Sequence, residues 1–349
     1  MRIIIILLVL IILLTILIHS ETWSRVYGGS DDDFAYAVKQ TPDGGYIVIG
    51  STESFGSYYW NVWILKLDQN GDTVWSKVYD SISDYYEFHD IEIDYDGGYI
   101  FGGSYGIYGF FICKTDNVGD SVWSRVYSVY NPTCFYTYPL DIDKTSDGGY
   151  IIAGRVDLGN AMGFIMKLDQ NGDSSWATVW GDEMYLSSVF ESFAKDYYVG
   201  VRGQHFYNVC LVNFDTQGNY GWSAGYFNGA YVNCVEQTSD SGIVLVTTDP
   251  AKLIKVDTAG DTIWTRDYGG YSVIQDSQDN FLIVSNENND IKLVQTDQSG
   301  DIIWARFYGG SSPEVGYSIQ QTTDGGYIIA GATESYGSGG YDFYIVKVD

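Results

Sequence analysis

Beyond residues 1–20 the chain carries two histidines, His89 and His205, with no serine–aspartate or histidine-rich spacing around either. Nucleophilic and metal–imidazole chemistry therefore has little to build on. Carboxylates are abundant instead: Asp and Glu number 45 against 18 Lys and Arg, a formal charge of -27. Their densest cluster, Asp31-Asp32-Asp33, is a weak calcium candidate because hard cations take carboxylate oxygens; the competing reading is a solvated acidic loop. The Asp-x-Asn-Gly-Asp turns at Asp68 and Asp169 have the oxygen density of a calcium loop but lack its later ligands. Aspartate also stabilises turns through its own backbone bonds, the reading preferred here. A glycosidase needs two carboxyls at a set separation, and these are too numerous for sequence to select a pair.

Aromatic side chains are the second resource. Tyr58, Tyr59 and Trp60, then Tyr85 and Tyr86 beside His89, then Tyr136, then His205 and Phe206 fall in connections of varied length. Rings beside carboxylates suit the flat faces of a glycan or an extracellular protein rich in apolar and basic groups. These residues are the expected ligand-binding face, since binding residues concentrate on loops over a rigid scaffold. The charge of -27 repels phosphate backbones and anionic membranes, which excludes nucleic acid as a partner. No cofactor is expected, calcium apart.

Residues 1–20 read as an export signal: Arg2, then the apolar run Ile3 to Ile18, then Ser20. The expected location is secreted, extracellular or periplasmic in the cell envelope. Sixteen apolar residues are short for a spanning helix, yet Ile18 is a poor residue two places before a cut, so an uncleaved membrane anchor is the alternative. The spacing of Cys113, Cys134, Cys210 and Cys234 matches Cys113 to Cys134 and Cys210 to Cys234. Three pairings are combinatorially open, and four free buried thiols are the equal alternative.

The elements that must position these residues repeat. A unit of about 40 to 53 residues recurs seven times with three landmarks. A turn three residues ahead of a tryptophan precedes Trp75, Trp123, Trp176, Trp222, Trp264 and Trp304, and Trp23 supplies the seventh docking residue. Asp-Gly-Gly-Tyr stands at Asp43, Asp96, Asp147 and Asp324, and is degraded at Asp240, Asp279 and, least clearly, Asp196. An apolar strand ends in Asp68, Asp116, Asp169, Asp215, Asp257, Asp297 and Asp349. Each unit reads as four strands; in the first, A is Ala35 to Thr41, B Tyr46 to Gly50, C Val62 to Asp68 and D Thr73 to Tyr79. The Trp-x-Arg/Lys-x-Tyr stripe of each D strand is expected to pack between neighbouring units, with cation–π support.

The chain opens on a lone D strand, Thr22 to Tyr27, and stops after a C strand, so each end lacks what the other has. Pairing them closes a ring without free edges. The expectation is an all-β, seven-bladed β-propeller of four-stranded blades over residues 21–349, the last blade closed by the N-terminal strand. Lys66-Leu67-Asp68-Gln69-Asn70-Gly71-Asp72-Thr73-Val74-Trp75 and its relatives resemble the tryptophan-docking repeat of quinoprotein-like propellers. They look more closely like secreted bacterial propellers built from Asp-Gly-Gly-Tyr and Lys-Leu-Asp repeats, a resemblance that implies the fold and no activity. Quinone chemistry would imply adjacent paired cysteines, which this sequence lacks. The functional expectation is a non-enzymatic extracellular binding module. The alternatives are a polysaccharide-active enzyme using loop-face carboxylates and a purely structural cell-envelope domain.

Overall fold

A computed structural model describes residues 22–56, 60–79, 90–105, 109–129, 136–157, 159–203, 208–228 and 231–349. The expected export segment and Cys134 lie outside these residues. Among them there are twenty-eight strands and no helix long and apolar enough to cross a membrane. Five sheets have four antiparallel strands each, and an eight-stranded sheet joins two further four-stranded units through the single pair Arg202 and Tyr231. In the first unit the strands are Asp33–Gln40, Tyr46–Thr52, Asn61–Leu67 and Thr73–Tyr79, in the A to D order read from the sequence.

The turns follow their chemistry. Between A and B, the Thr41 N–H donates to the Gly45 carbonyl while Asp43 Oδ1 accepts from the Gly45 N–H at 3.0 Å. One residue of this turn must be left-handed, at Gly44, Gly97, Gly148 and Gly325, and the conformation persists at Lys195, Ser241 and Asp279 where glycine is lost. Between C and D, Asp68 Oδ1 accepts from the Asn70 and Asp72 N–H groups at 2.8 and 2.9 Å. Asp116, Asp169, Asp215, Asp257 and Asp297 repeat that pattern, so these aspartates are spent on their own turns.

A buried lysine ties the second landmark to the third. Lys66, Lys167, Lys255 and Lys347, all at most 5% exposed, reach back from C strands to the turn aspartates Asp43, Asp147, Asp240 and Asp324 at 2.6 to 3.0 Å. Burial alone would raise the Asp43 pKa, but hydrogen bonds from Thr41, Lys66 and Gly45 outweigh it and hold the group at about 2. The degraded units show the same logic. In the sixth, Gln295 stands for lysine and Asp276 accepts its amide at 3.1 Å. In the fourth, Asn213 stands for lysine, Ala194 rather than Asp196 occupies the turn position, and the buried Asn213 Nδ2 has no partner. Asp196 is thus two residues out of the register read from the sequence.

The core lies between units. Seven apolar clusters each draw on two neighbouring units, and one joins Val48 and Leu65 of the first to Ile328 and Ile345 of the last. The tryptophan stripes bridge the same seams. Trp23, Trp75, Trp123, Trp176, Trp222 and Trp264 lie against Gly71, Gly119, Gly172, Gly218, Gly260 and Gly300 of the following unit, where a side chain would collide with the indole. Tyr79 and Tyr127 donate to the Gly119 and Gly172 carbonyls, each at 2.6 Å. Arg25, Lys77, Arg125, Arg266 and Arg306 lie over the rings of Trp23, Trp75, Trp123, Trp264 and Trp304 at 4.7 to 5.9 Å. The N-terminal strand Trp23–Tyr27 pairs antiparallel with Asp342–Val348 over five positions and completes the last sheet.

Candidate functional site

The A strands form the innermost wall, and five of them carry one extra residue at the same register: Tyr36, Leu140, Ser187, Asn233 and Tyr317. Such bulges release one residue from the ladder and re-aim its side chain. Here the released residues surround the mouth of a cavity of about 770 Å³ at the centre of the molecule. The glycine opposite each of three bulges, Gly50, Gly154 and Gly331, has no room for a Cβ against the bulged backbone.

Rings line one side of the mouth. Tyr36 meets Tyr317 edge-on at 5.2 Å, Tyr317 meets Tyr271 at 6.2 Å, and Phe34 lies 6.3 Å from Tyr36. Phe34 continues to Tyr341 at 5.0 Å and Trp60 at 5.6 Å. Opposite, Arg202 lies over Tyr231 at 5.0 Å. Arg155 lies over Tyr185 at 4.5 Å and is held by both carboxylate oxygens of Asp157 at 3.0 and 2.9 Å.

Carboxylates line the cavity below. Asp90, Glu92, Asp141, Asp143, Glu191 and Glu236 face it against Lys39 and Arg202. Lys39 pairs with Glu92 and lies 3.8 Å from Asp90. Asp141 accepts from the Val189 N–H at 2.6 Å and Asp143 from the Glu191 N–H at 3.4 Å, which joins two units across their seam. Burial raises the pKa of Asp141, and the charge of Asp143 adds to it; burial and the charge of Glu92 raise that of Asp143. Burial, with repulsion from Glu92 and Asp90, pushes Glu236 up to about 7. These groups exchange protons near neutrality and reward any cation that enters. Beside them Cys234 is a free thiol that burial pushes up to about 12, and Cys113 is free as well.

Of the aromatic residues expected to bind, Trp60 joins the ring cluster at the mouth. Tyr136 opens an A strand with its backbone opposite Asp157. Tyr58, Tyr59, Tyr85, Tyr86, His89, His205 and Phe206 lie outside the described residues. Asp31, Asp32 and Asp33 each accept a hydrogen bond: Asp31 Oδ2 from the Ser30 hydroxyl, Asp32 Oδ1 from the Tyr341 N–H and Asp33 Oδ2 from the Gly29 N–H. Among the described residues no three carboxylate, histidine or cysteine side chains are placed to hold a metal. The channel acids escaped the sequence reading, although Asp90-Ile91-Glu92 and Asp141-Ile142-Asp143 carry the alternation that puts two acids on one face of a strand.

No family model matches the chain, and no curated protein matches its sequence. Solved structures of propeller proteins do match its fold. A streptogramin B lyase has a TM-score of 0.63 at 13% identity, over 94% of this chain and 98% of that one. A catalytically inactive virginiamycin B lyase from Staphylococcus aureus, solved with quinupristin, has 0.63 at 11% identity over 94% and 100%. The Dos1 propeller has 0.60 at 12% identity over 94% of each chain. At such identities the likeness carries the all-β propeller fold and no activity.

Proposed function

We propose that the chain is an exported, seven-bladed propeller that works as a non-enzymatic binding module, receiving its ligand at the mouth of the central channel. The ligand presents a protonated amine or guanidinium beside a flat apolar surface, as a basic segment of a protein or an amino-bearing glycan does. The observation that carries this reading is the stacking order in the cavity. Tyr36, Tyr271 and Tyr317 line the entrance, and below them six carboxylates face two cations. Aromatic faces and carboxylates both favour a cation, with cation–π contacts of about 0.5–2 kcal/mol each at such sites.

Calorimetric titration of the chain with glucosamine oligomers and with lysine-rich peptides should show binding that N-acetylation abolishes. Affinity for the lysine-rich peptides should rise as pH climbs from 5 to 8, because the raised carboxyls ionise over that interval while the lysines stay charged. Replacing Tyr36 with Ala, or Glu236 with Gln, should each weaken binding about tenfold or more. Equal binding of acetylated and free amines would refute the reading.

One observation favours an enzyme as the second reading. A carboxyl such as Glu236, at about 7, has the proton affinity of a general acid–base. Product release from a polysaccharide, lost in the Glu236→Gln variant, would select it.

A further inference from the structure

At the seam where the two ends of the chain meet, two buried carboxylates each hold one oxygen without a partner. Asp33 opens the first A strand and Asp342 the last C strand, and they are 0% and 1% exposed. Asp33 Oδ2 accepts from the Gly29 N–H at 2.9 Å, and Asp342 Oδ2 from the Ser338 N–H at 2.7 Å. Oδ1 of each is buried with no hydrogen-bond partner. A Cβ on Gly28 would overlap Asp342 Oδ1 and lie 2.8 Å from Asp33 Oδ2, so the two carboxylates close on each other beside a residue that must be glycine. The Asp32 carboxylate stands beside them, and among the described residues no lysine, arginine or histidine pairs with Asp33 or Asp342.

The preceding seam shows the same frame with its needs met. There Glu314 takes the place of Asp33, opposite Thr333 as Asp33 is opposite Thr52. Its Oε1 accepts from the Thr333 hydroxyl at 2.7 Å and its Oε2 from the Gly310 N–H at 2.9 Å. Asp33 is one methylene shorter: Thr52, Gly29 and Ser54 hydrogen-bond its carboxylate, and Oδ1 is left over. Two adjacent buried carboxylates repel each other and are kept only when something positive lies between them.

We propose that a divalent cation of calcium's class binds at this seam, bridging Asp33 and Asp342. Backbone carbonyls of residues 28–32 and 337–341 and water would complete its shell, since calcium accepts six to eight oxygens in irregular geometry. A shared proton would still leave one negative charge buried at the seam. A cation in this place joins the first and last units and stabilises the closed ring.

The test uses the full chain stripped with chelator, followed by calorimetric titration and thermal melting with calcium chloride. One calcium should bind, and the melting midpoint should rise by about 5 °C at a hundredfold excess over Kd. Asp342→Asn, nearly isosteric, should lose both effects, whereas Asp31→Asn should keep them. Asp33→Glu copies the satisfied seam; it should melt no lower than the calcium-free parent and bind calcium at least tenfold more weakly. A parent that takes up no calcium overturns the proposal, as does an Asp342→Asn protein that responds like the parent or a response lost in Asp31→Asn. A midpoint blind to calcium that rises as pH falls would assign the pair to a shared proton and overturn it equally.

Discussion

A single side chain decides whether a unit of this repeat is well made. Lys66 Nζ, buried at the end of a C strand, is held by Asp43 at 2.9 Å and by the Leu67 carbonyl at 3.0 Å. The fourth unit has neither partner, with Asn213 for the lysine, Ala194 for the aspartate and an amide left unpaired. Asn213→Lys alone buries an unmatched ammonium and should destabilise. Ala194→Asp alone adds an exposed carboxylate and should be nearly neutral. Together they rebuild the pair, and a urea-denaturation cycle should show coupling of about 1–3 kcal/mol in favour of the double variant. Additive effects would mean that the lysine and aspartate landmarks are associated in sequence without being associated in energy. This pairing was half visible beforehand. Both landmarks could be counted, but their ion pair spans a hairpin and emerges only when register is fixed.

At the scale of the strand, the fold was legible because its turn chemistry repeats. Asp-Gly-Gly fixes the A–B hairpin of four units, the other three keep its left-handed residue, and the Asp-capped glycine turn fixes each C–D hairpin, whatever lies in the connections between them. The channel mouth was not legible for the opposite reason. Tyr36, Asn233 and Tyr317 sit at bulges, where one added residue breaks the alternation that tells the inward face from the outward one. The closing strand is where both lessons meet. Trp23–Tyr27 supplies five ladder positions, packs Trp23 against Tyr46 at 5.8 Å, and places Tyr27 in the cluster between the first and last units. Deleting residues 22–27 removes about 5–10 kcal/mol of pairing and burial, comparable to the whole stability of a domain. It also bares the edge of Asp342–Val348 to other chains. The truncated chain should melt far lower and associate in sedimentation experiments, and a synthetic peptide of residues 22–27 should restore the parent midpoint. A truncated monomer melting like the parent would show that the ring does not depend on this strand.

The whole molecule carries two opposed sets of carboxyls, and together they place its stability in pH. The first set is held down in the folded state: hydrogen bonds from Lys66 and Lys255 and their neighbours overcome burial and bring Asp43 and Asp240 to about 2. Their unfolded values lie near about 4, so the stability they contribute is complete above that pH and is lost as pH falls toward 2. The second set is held up: burial raises Asp141 and Asp143 and lifts Glu236 to about 7 and Asp342 to about 6. For these the folded state binds protons more tightly than the unfolded chain, so stability falls as pH rises from about 4 through about 7. A net charge of -27 adds general repulsion on the same side. The two slopes meet between about pH 4 and 5, below the range where most domains are most stable. In chelator, the melting midpoint should therefore be at least ~5 °C higher at pH 4.5 than at pH 7.5. The variant carrying Asp143→Asn and Glu236→Gln should flatten that slope by raising the midpoint at pH 7.5 and leaving it nearly unchanged at pH 4.5. A parent whose stability peaks at neutral pH would show that the channel carboxyls do not hold their protons in the folded state. The rise in cation affinity between pH 5 and 8 assigned to the channel mouth would then lose its basis as well.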